Sequence, residues 1–213
     1  MGFNSLWKEL PKHVADEFDA AARIVEKKRG ETVYRAGEAP QGLYFVEQGL
    51  VGLTLIGAAS GHEHLMRFFR RGQFFGHRAL FSGETFHGST IALEPTRLRL
   101  IAKPVVLKVL ERNPELYREI VHALAQELKR CELQHVMILE NQILARTAQA
   151  LIYLKDLHPE HMWTRQEIAN FCASTVSTVI KTMAELENMG LIRQDGRAIE
   201  ILDREGLISL QDQ

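Results

Sequence analysis

The sequence is poor in cysteine, which limits the redox and metal chemistry that the chain can support. Cys131 and Cys172 are its two cysteines, and they do not form a Cys-x-x-Cys pair. Because an ordinary iron–sulfur cluster requires four thiolates, such a cluster is excluded. In a reducing compartment two separated cysteines are usually buried thiols, and we predict that state for both.

The sequence also lacks long hydrophobic runs. No apolar segment approaches the roughly 20 residues of a membrane-spanning helix, and residues Met1–Ser5 lack the basic and apolar segments of a signal peptide. We therefore expect a cytoplasmic protein without a membrane partner. Its 213 residues, 46% hydrophobic and 25% charged, are typical of a soluble globular protein with two modest domains or one large domain.

An excess of positive charge is absent as well. The formal net charge is −1, and residues 143–213 contain seven Lys or Arg side chains against ten Asp or Glu. Since a basic surface is the usual electrostatic sign of nucleic-acid binding, composition alone does not indicate DNA. The indication comes from motifs instead.

Short β-branched or aromatic segments, separated by glycines, occupy most of the N-terminal half. Before them, residues 5–28 begin with an amphipathic stretch that predicts one or two short helices. Six segments have the composition of strands: Thr32–Tyr34, Leu43–Val46, Val51–Ile56, His64–Phe69, Thr90–Leu93 and Leu98–Ile101. Strands of this length and spacing predict a sandwich, a roll or a small barrel.

After Pro104 the hydrophobic period becomes helical, and Pro114 is placed in the first turn of a new helix. Residues at alternating spacings of four and three form a heptad seam: Tyr117, Val121, Leu124, Leu128, Cys131, His135, Ile138, Gln142 and Ala145. The seam predicts one long helix that packs against a second chain, with these residues in the dimer interface: Leu124, Leu128, Cys131, His135 and Ile138. A second apolar set would face the helix's own domain: Ile120, Leu133, Val136, Met137 and Leu139. A helix buried within a monomer is the alternative.

The segment from residue 163 to residue 201 carries the most specific pattern. Thr164-Arg165-Gln166-Glu167 has the form of a capping box, in which the Thr and Glu side chains bond the helix N-terminus reciprocally. A turn at Cys172-Ala173-Ser174 precedes a second helix, capped by Ser174 or Thr175. The helical spacing of Val179, Met183 and Leu186 predicts its buried face.

Two short strands follow the second helix. Gly190 is placed to end that helix, and Asp195-Gly196 predicts a type I′ hairpin with both residues at positive φ. The order helix, turn, helix, hairpin is that of a winged helix-turn-helix.

The exposed face of the second helix is predicted to carry small hydroxyls, apolar groups and one cation: Ser174, Val176, Ser177, Ile180 and Lys181. Hydroxyls and cations can bond phosphates and base edges, and Val176 is suited to a thymine methyl. A helical pair used only for packing is the alternative.

These residues resemble the family of the cyclic-AMP receptor protein and the fumarate–nitrate reduction regulator, the CRP/FNR family. The resemblance covers nearly the whole chain. The β-roll of the family is resembled by Gly37-Glu38, Leu43–Val46 and Gly49. Its phosphate-binding cassette is resembled by Gly72–Gly76, and the start of its long helix by Asn113-Pro114. Thr164–Ala169, Thr178-Val179 and Leu191-Ile192 resemble its DNA-binding helices, without gaps from Thr164 through Ile192.

The resemblance implies an α+β fold in three parts. Residues 1–112 would form a cyclic-nucleotide-binding-like β-roll of the double-stranded jelly-roll type with N-terminal helices. Residues 113–142 would form the dimerisation helix and hinge, and residues 143–213 the winged helix-turn-helix. The implied function is a transcription regulator that binds a palindromic operator as a homodimer. RNA polymerase is a further implied partner. The loop between the long helix and Trp163 is shorter than in the cyclic-AMP receptor protein, so the resemblance does not carry over that protein's contact with the polymerase.

Residue by residue, the resemblance places phosphate contacts at Arg165, Gln166, Thr175 and Thr178. Lys181 falls where a family arginine reads guanine, and a lysine lacks the planar fork for bidentate bonding. Val176 and Ser177 replace the charged base readers of the best-known members. The operator should therefore differ from the familiar ones, with half-sites one helical turn apart.

The implied effector pocket contains Gly76, His77, Arg78, His87, Gly88, Ser89 and Cys131. His77 stands in place of the ribose-binding glutamate, His87-Gly88 in place of the phosphate-binding Arg-Ser pair, and Cys131-Glu132 in place of the adenine-binding pair. Each replacement removes a bonding partner of cyclic AMP at a cost of about 1–3 kcal/mol, so we expect no tight cyclic AMP binding. Arg78, protonated His87, Gly88 and Ser89 could still hold another anion.

The histidine content and the acidic C-terminal region leave two other functions open. The sequence contains nine histidines, of which His62 and His64 are predicted on one strand face and His77 and His87 at the pocket. A haem-dependent gas or redox sensor is therefore an alternative, although no histidine spacing is diagnostic of a metal site. An enzyme is disfavoured because no nucleophile elbow, P-loop or paired carboxylates occur. A dimeric scaffold without DNA binding is the remaining alternative, supported by the acidic C-terminal region.

Overall fold

A computed structural model describes residues 10–210, apart from the side chains of Ala123 and Met137. The chain divides into two compact units, Met1–Arg130 and Cys131–Gln213, and the division falls within one long helix.

The N-terminal unit is a β-roll of two four-stranded sheets. The strands are β1 (Ala22–Lys27), β2 (Thr32–Tyr34), β3 (Gly42–Gln48), β4 (Leu50–Ile56), β5 (Glu63–Arg70), β6 (Phe74–Phe75), β7 (Ser89–Ala92) and β8 (Thr96–Ala102). One sheet has the order β1-β8-β3-β6 and the other β2-β7-β4-β5, with antiparallel pairing throughout. The helices are α1 (Lys12–Ala21), α2 (His77–Ser82), α3 (Lys103–Arg112) and the start of α4 (Glu115–Glu140).

Strand β3 explains why the roll has two cores. Its residues from Gly42 to Val46 are all buried, because alternate side chains point to opposite faces and both faces are covered. Tyr44 and Val46 point into the aromatic interior between the sheets. Leu43 and Phe45 point outward, against apolar residues of α1, α3 and α4.

The prediction for residues 5–28 is confirmed in part. Helix α1 covers Lys12–Ala21 with Val14 and Phe18 buried. Residues 22–27, for which we predicted no strand, form β1 because they pair residue for residue with β8. Residues 5–9 of the predicted stretch lie outside the described residues.

The long helix α4 ends earlier than the heptad seam predicts. It covers Glu115–Glu140, whereas Gln142 caps the next helix and Ala145 is buried within that helix. The second apolar set also differs from expectation: Ile120 is buried, but Leu133, Val136 and Leu139 are 57%, 46% and 70% exposed. Met137 belongs to the side chains that are not described.

The C-terminal unit is a winged helix-turn-helix. After the end of α4 it contains α5 (Ile143–Leu157), α6 (Arg165–Phe171), α7 (Val176–Asn188), β9 (Ile192–Asp195), β10 (Ala198–Ile201) and α8 (Arg204–Ser209). Its core includes fully buried Trp163, Ile168, Met183, Leu186 and Leu207. The segment before Trp163, which we expected to be a loop, is largely the helix α5.

Two turns position the recognition elements. Ala173, in the turn between α6 and α7, adopts a left-handed φ of 53°, which is uncommon for a residue with a Cβ atom. In the wing, Asp195 pairs with Ala198, so the central residues are Gly196 and Arg197. Gly196 has positive φ, whereas Asp195 and Arg197 do not. The predicted type I′ turn at Asp195-Gly196 is therefore wrong, and glycine occupies the first central position.

Within residues 10–210, no helix combines the length and the apolar character that crossing a bilayer requires.

Candidate functional site

The first helix of the helix-turn-helix begins as the sequence predicts. The Thr164 hydroxyl accepts from the Glu167 backbone N–H at 3.1 Å, and the Glu167 carboxylate accepts from the Thr164 backbone N–H at 2.8 Å. His161, which is buried, places Nε2 at 3.3 Å from the same carboxylate. The capping box is thus anchored in the core, which holds the start of α6 in place.

The recognition helix α7 begins with a cluster of three hydroxyls. Thr175 is its N-cap and accepts from the backbone N–H of Thr178 at 3.2 Å. The same hydroxyl lies 2.8 Å from Thr178 Oγ1 and 3.0 Å from Ser177 Oγ. A helix N-terminus with exposed donors is suited to a phosphate, because the helix dipole and the hydroxyls both favour an anion there.

The two faces of α7 separate as predicted. Val179, Met183 and Leu186 are fully buried, and they hold the helix against the core. On the opposite face Ser177 and Lys181 are exposed, and Ile180 is 51% exposed. Residues four apart are neighbours on a helix, so these side chains form one continuous surface with hydroxyl, apolar and cationic groups.

Other predicted contacts lie beside this surface. Val176 and Ser174 are half-buried at the start of α7, and Gln166 is exposed on α6, where its amide donates to Asn170 Oδ1 at 2.7 Å. Arg197, at the tip of the wing, adds an exposed cation. One turn beyond Lys181 lies the exposed Glu185, and its charge reduces the positive potential of the surface.

Arg165 is bound by the wing. Its guanidinium donates to Gln194 Oε1 at 2.7 Å and lies 3.5 Å from the Gly196 carbonyl. Gln194 in turn donates to the Glu187 carboxylate from both its backbone N–H, at 2.6 Å, and its amide, at 3.0 Å. This chain of bonds joins α6, the wing and α7. Gln194 and Glu187 were not predicted from the sequence, because strand pairing rather than local spacing brings them to Arg165.

The second candidate site is a pocket in the β-roll, with a volume of about 300 Å³ including its open mouth. Aromatic and cationic side chains line it together: Tyr34, Leu53, Arg67, Phe69, Gly76, His77, Arg78, Ala79, Phe86 and His87. Gly76 begins helix α2 in a left-handed conformation, φ 87°, and an added Cβ would lie 3.1 Å from the Gly42 carbonyl. This close approach aims the start of α2 at the pocket.

A carboxylate from the long helix closes the cationic side of the pocket. Glu127 of α4 is 2% exposed and accepts a hydrogen bond from Arg67. Its other oxygen lies 3.3 Å from His77 Nε2 and 3.4 Å from Arg78 Nη2. Arg67 is also packed over the Phe69 ring, with 5.2 Å to the centroid. Three basic side chains from β5 and α2 therefore converge on one anion.

Protonation in this cluster follows from burial and pairing. Burial alone would raise the pKa of Glu127, but the bonds from His77 and Arg67 outweigh it and hold the pKa well below its usual range. Burial lowers the pKa of His77, against the opposing effect of Glu127. The imidazole of His77 is therefore neutral and donates from Nε2 to the ionised Glu127 carboxylate. Arg67 and Arg78 are the counter-charges of that carboxylate.

Four of the seven predicted pocket residues line the cavity: Gly76, His77, Arg78 and His87. Gly88 is instead packed beneath β4, where an added Cβ would lie 2.6 Å from the Thr54 carbonyl. The Ser89 hydroxyl accepts from the Ala36 backbone N–H at 3.0 Å, and Cys131 is exposed. Burial, and then the charge of Arg78, lower the pKa of His87, which disfavours the protonated His87 that we considered.

Arg67 and Glu127 were missed by the sequence analysis. A signal for Glu127 did exist, since it lies at helical spacing from Leu116 and Ile120, the buried residues of the same helix. A carboxylate on a buried face requires a partner. The position of Arg67 on β5 shows only when strands and helix are assembled.

The cysteines and histidines show no metal-site arrangement. In the part of the chain that the structure describes, no group of three or more His, Cys, Asp or Glu side chains could hold a metal ion. Cys172 is buried, as predicted, and burial raises its pKa to about 12. Cys131 is exposed in the single chain, where it lies on the α4 face that we predict to be the dimer interface. His62 precedes strand β5, whereas His64 lies in it.

Comparison with known proteins agrees with this architecture. The family of cyclic nucleotide-binding domains matches residues 24–113, and the family of Crp-like helix-turn-helix domains matches residues 145–210. The transcriptional regulator SdrP of Thermus thermophilus is 31% identical over 178 residues, which cover 79% of this chain and 83% of SdrP. This chain belongs to the CRP/FNR family.

Two further relatives of this CRP/FNR regulator support the assignment. A CRP-like cAMP-activated global transcriptional regulator of Mycobacterium tuberculosis is 25% identical over 192 residues, 86% of this chain and 85% of that protein. The crystal structure of a CRP/FNR family regulator from Thermus thermophilus has a TM-score of 0.72 at 27% identity and covers 90% of this chain and 99% of its own. The predicted fold class and family are confirmed.

Proposed function

We propose that this CRP/FNR regulator binds a palindromic DNA operator as a homodimer, with α7 of each chain in the major groove. The observation that carries the proposal is the exposed surface of α7, where hydroxyls at the helix N-terminus continue into Ile180 and Lys181. Binding is controlled from the β-roll pocket by an effector other than cyclic AMP, and RNA polymerase is a partner of the DNA-bound dimer.

The polar groups of this surface match the two kinds of DNA contact. Thr175, Thr178 and Gln166 are placed to position the backbone, because hydroxyls, amides and a helix N-terminus bond phosphates. Ser177, Val176 and Lys181 are placed to read base edges, with Lys181 donating to guanine. Few cations serve the reading face, so sequence recognition depends on the pairing of two half-sites.

An exposed apolar row on α4 supports the homodimer. Tyr117, Val121 and Leu128 are 43%, 63% and 61% exposed, and Leu124 is partly buried against the roll. Cys131 and His135 continue the row as exposed residues, and Ile138 is half-buried. Large apolar groups at heptad spacing are suited to burial against a second copy of the helix.

The pocket chemistry supports an effector other than cyclic AMP. His77 stands where the cyclic-AMP receptors use a glutamate for the ribose, and it is already bonded to Glu127. Arg67 and Arg78 are engaged by the same carboxylate. A cyclic nucleotide would have to replace these bonds without gaining the ribose contact of the family.

Selection of bound duplexes from a random library tests the proposal. We expect enrichment of an inverted repeat whose half-sites are about 34 Å apart, one turn of DNA. A variant with Lys181→Ala serves as a comparison and should enrich the same spacing with weaker preference at one base pair per half-site. Failure to enrich any inverted repeat at low salt would contradict the proposal.

The homodimer is tested separately by sedimentation of the purified protein. Leu128→Glu places a charge in the apolar row and should convert dimers to monomers at micromolar concentration. Ile56→Glu, at a site that is 71% exposed and outside the row, is the matched control and should leave the dimer intact. A wild type that sediments as a monomer overturns this part of the proposal.

A further inference from the structure

The arrangement around Glu127 has the form of an occupied anion-binding site. Arg67, His77 and Arg78 come from two elements of the roll, β5 and α2, and direct their nitrogens to one point. That point is occupied by a carboxylate from α4. Convergent basic donors within a pocket are the usual chemistry for recognising a phosphate or carboxylate.

The exposure of the four side chains shows which of them still face the pocket mouth. Glu127 and His77 are each 2% exposed, whereas Arg67 is 19% and Arg78 is 37% exposed. Both guanidiniums can therefore be reached from the cavity that they line. The Glu127 carboxylate between the two guanidiniums is almost fully buried, so this ion pair is not a surface salt bridge.

We propose that Glu127 is an internal ligand of the β-roll pocket, whose carboxylate occupies the subsite that a phosphate-bearing effector would take. Such an anion enters by displacing Glu127 from Arg67, His77 and Arg78. This displacement releases the bonds from α4 to β5 and α2 and thereby couples the pocket to the long helix. The inference rests on the proposed function, in which the roll pocket controls DNA binding.

Displacement follows from electrostatics rather than from space alone. A phosphate bound to Arg67 or Arg78 would lie within a few ångströms of the Glu127 carboxylate, and like charges at that distance repel strongly where water is excluded. Arg67 and Arg78 both already bond the one Glu127 carboxylate, so a second anion must compete with it for the same donors. The wild-type site should therefore bind simple phosphate poorly until the carboxylate is removed.

Thermal unfolding of the full chain in inorganic phosphate tests this inference. The measurement compares phosphate with sodium chloride at equal ionic strength, since screening alone also changes stability. The wild type should show no saturable rise in Tm. Glu127→Ala should show a saturable rise of about 3 °C or more, because a ligand that binds only the folded state stabilises it.

Three further variants make the result specific. Glu119→Ala removes an exposed carboxylate from the same helix and should behave like the wild type. Arg67→Ala combined with Glu127→Ala should lose the phosphate response. If Glu127→Ala does not fold, Glu127→Gln replaces it, because the amide keeps the shape and removes the charge.

Two outcomes overturn the inference: a folded Glu127 variant without a phosphate response, or a wild type that responds as strongly as the variant. Neither outcome affects the selection of an inverted repeat from random DNA. Loss of the inferred subsite with retained DNA selection would therefore refute the internal ligand and leave the proposed function standing.

Discussion

The pocket of the β-roll and the surface of α7 use their polar side chains in opposite ways. In the roll, Arg67 and His77 face inward and are paired with Glu127, which is almost completely buried. On the winged helix, Lys181 and Arg197 are exposed, and the hydroxyl of Thr175 bonds its own helix at a surface position. In the pocket the donors are bonded to an internal carboxylate, whereas on the winged helix the cations face solvent.

The two regions also differ in how closely they follow the expectations from the sequence. The winged helix has the predicted order of elements and the capping box, and its polar surface faces solvent. The roll has the predicted strands and a glycine at the start of α2, but the basic groups of its pocket are bonded to Glu127. A charge change at Lys181 should therefore alter DNA affinity, whereas one at Glu127 should alter the roll itself.

The largest expected effect is on DNA affinity at the α7 surface. Lys181→Ala removes a base contact in each half-site, and we expect a loss of about 2 kcal/mol or more over the dimer, roughly 30-fold in affinity. The Tm should hardly change, because Lys181 is exposed and contributes no packing. Fluorescence anisotropy on a selected duplex, together with calorimetry, measures both quantities. Unchanged affinity would remove Lys181 from the reading face.

Glu127→Gln should have the opposite profile. This substitution removes the negative charge that Arg67 and Arg78 share, and we expect the free energy of unfolding of the N-terminal unit to fall by about 2 kcal/mol. The loss is smaller than for a fully buried ion pair because both guanidiniums are partly exposed. Glu119→Gln on the same helix should change it by less than about 0.5 kcal/mol. Equal effects of the two variants in calorimetry would contradict the described cluster.

Acid should destabilise the N-terminal unit through the same groups. Folding lowers the pKa of His77 and His87, so the unfolded chain binds more protons and stability falls as the pH drops below about 6.5. Folding also lowers the pKa of Glu127, and its contribution is lost as the pH falls further, below about 4.3. Each proton contributes a slope of at most about 1.4 kcal/mol per pH unit.

His77→Gln isolates the upper part of this pH range. The variant should show a smaller loss of Tm between pH 7 and pH 5 than the wild type, with His87 accounting for the remainder. A pH profile identical to that of the wild type would show that His77 is not held neutral by burial.

The smallest expected effects separate the two caps of the winged helix. Thr164→Ala and Thr175→Ala each remove a helix cap, and each should lower the free energy of unfolding by about 1 kcal/mol. Only Thr175→Ala should also weaken DNA binding. Unfolding in urea is followed by the fluorescence of buried Trp163 in a Trp7→Phe background. If Thr164→Ala and Thr175→Ala lose DNA affinity equally, the assignment of Thr175 to the DNA surface is refuted.

Local patterns predicted much of the fold. The capping box at Thr164 and the buried face Val179, Met183 and Leu186 depend on neighbours within one helix, and both are present in the structure. Strand composition similarly located the six predicted strands. Strand β1 was missed because its pairing partner, β8, lies about 70 to 80 residues away and its own sequence does not alternate cleanly.

The sites were less predictable than the fold. Arg165 meets Gln194 and Glu187 through tertiary packing, and Glu127 meets Arg67 across 60 residues of sequence. The carry-over from the family placed His77 and Arg78 in the pocket, yet Gly88 and Ser89 point elsewhere. A resemblance transfers positions, whereas contacts depend on which side chains this chain has placed around them.

The most direct test of the account is a binding titration with two duplexes, one carrying the selected inverted repeat and one with a single half-site scrambled. We expect two chains per intact duplex and a loss of about 100-fold or more in affinity when one half-site is scrambled, since each mismatched base pair costs about 1–3 kcal/mol. Equal affinity for the two duplexes, or one chain per intact duplex, would contradict recognition of a palindrome by a dimer.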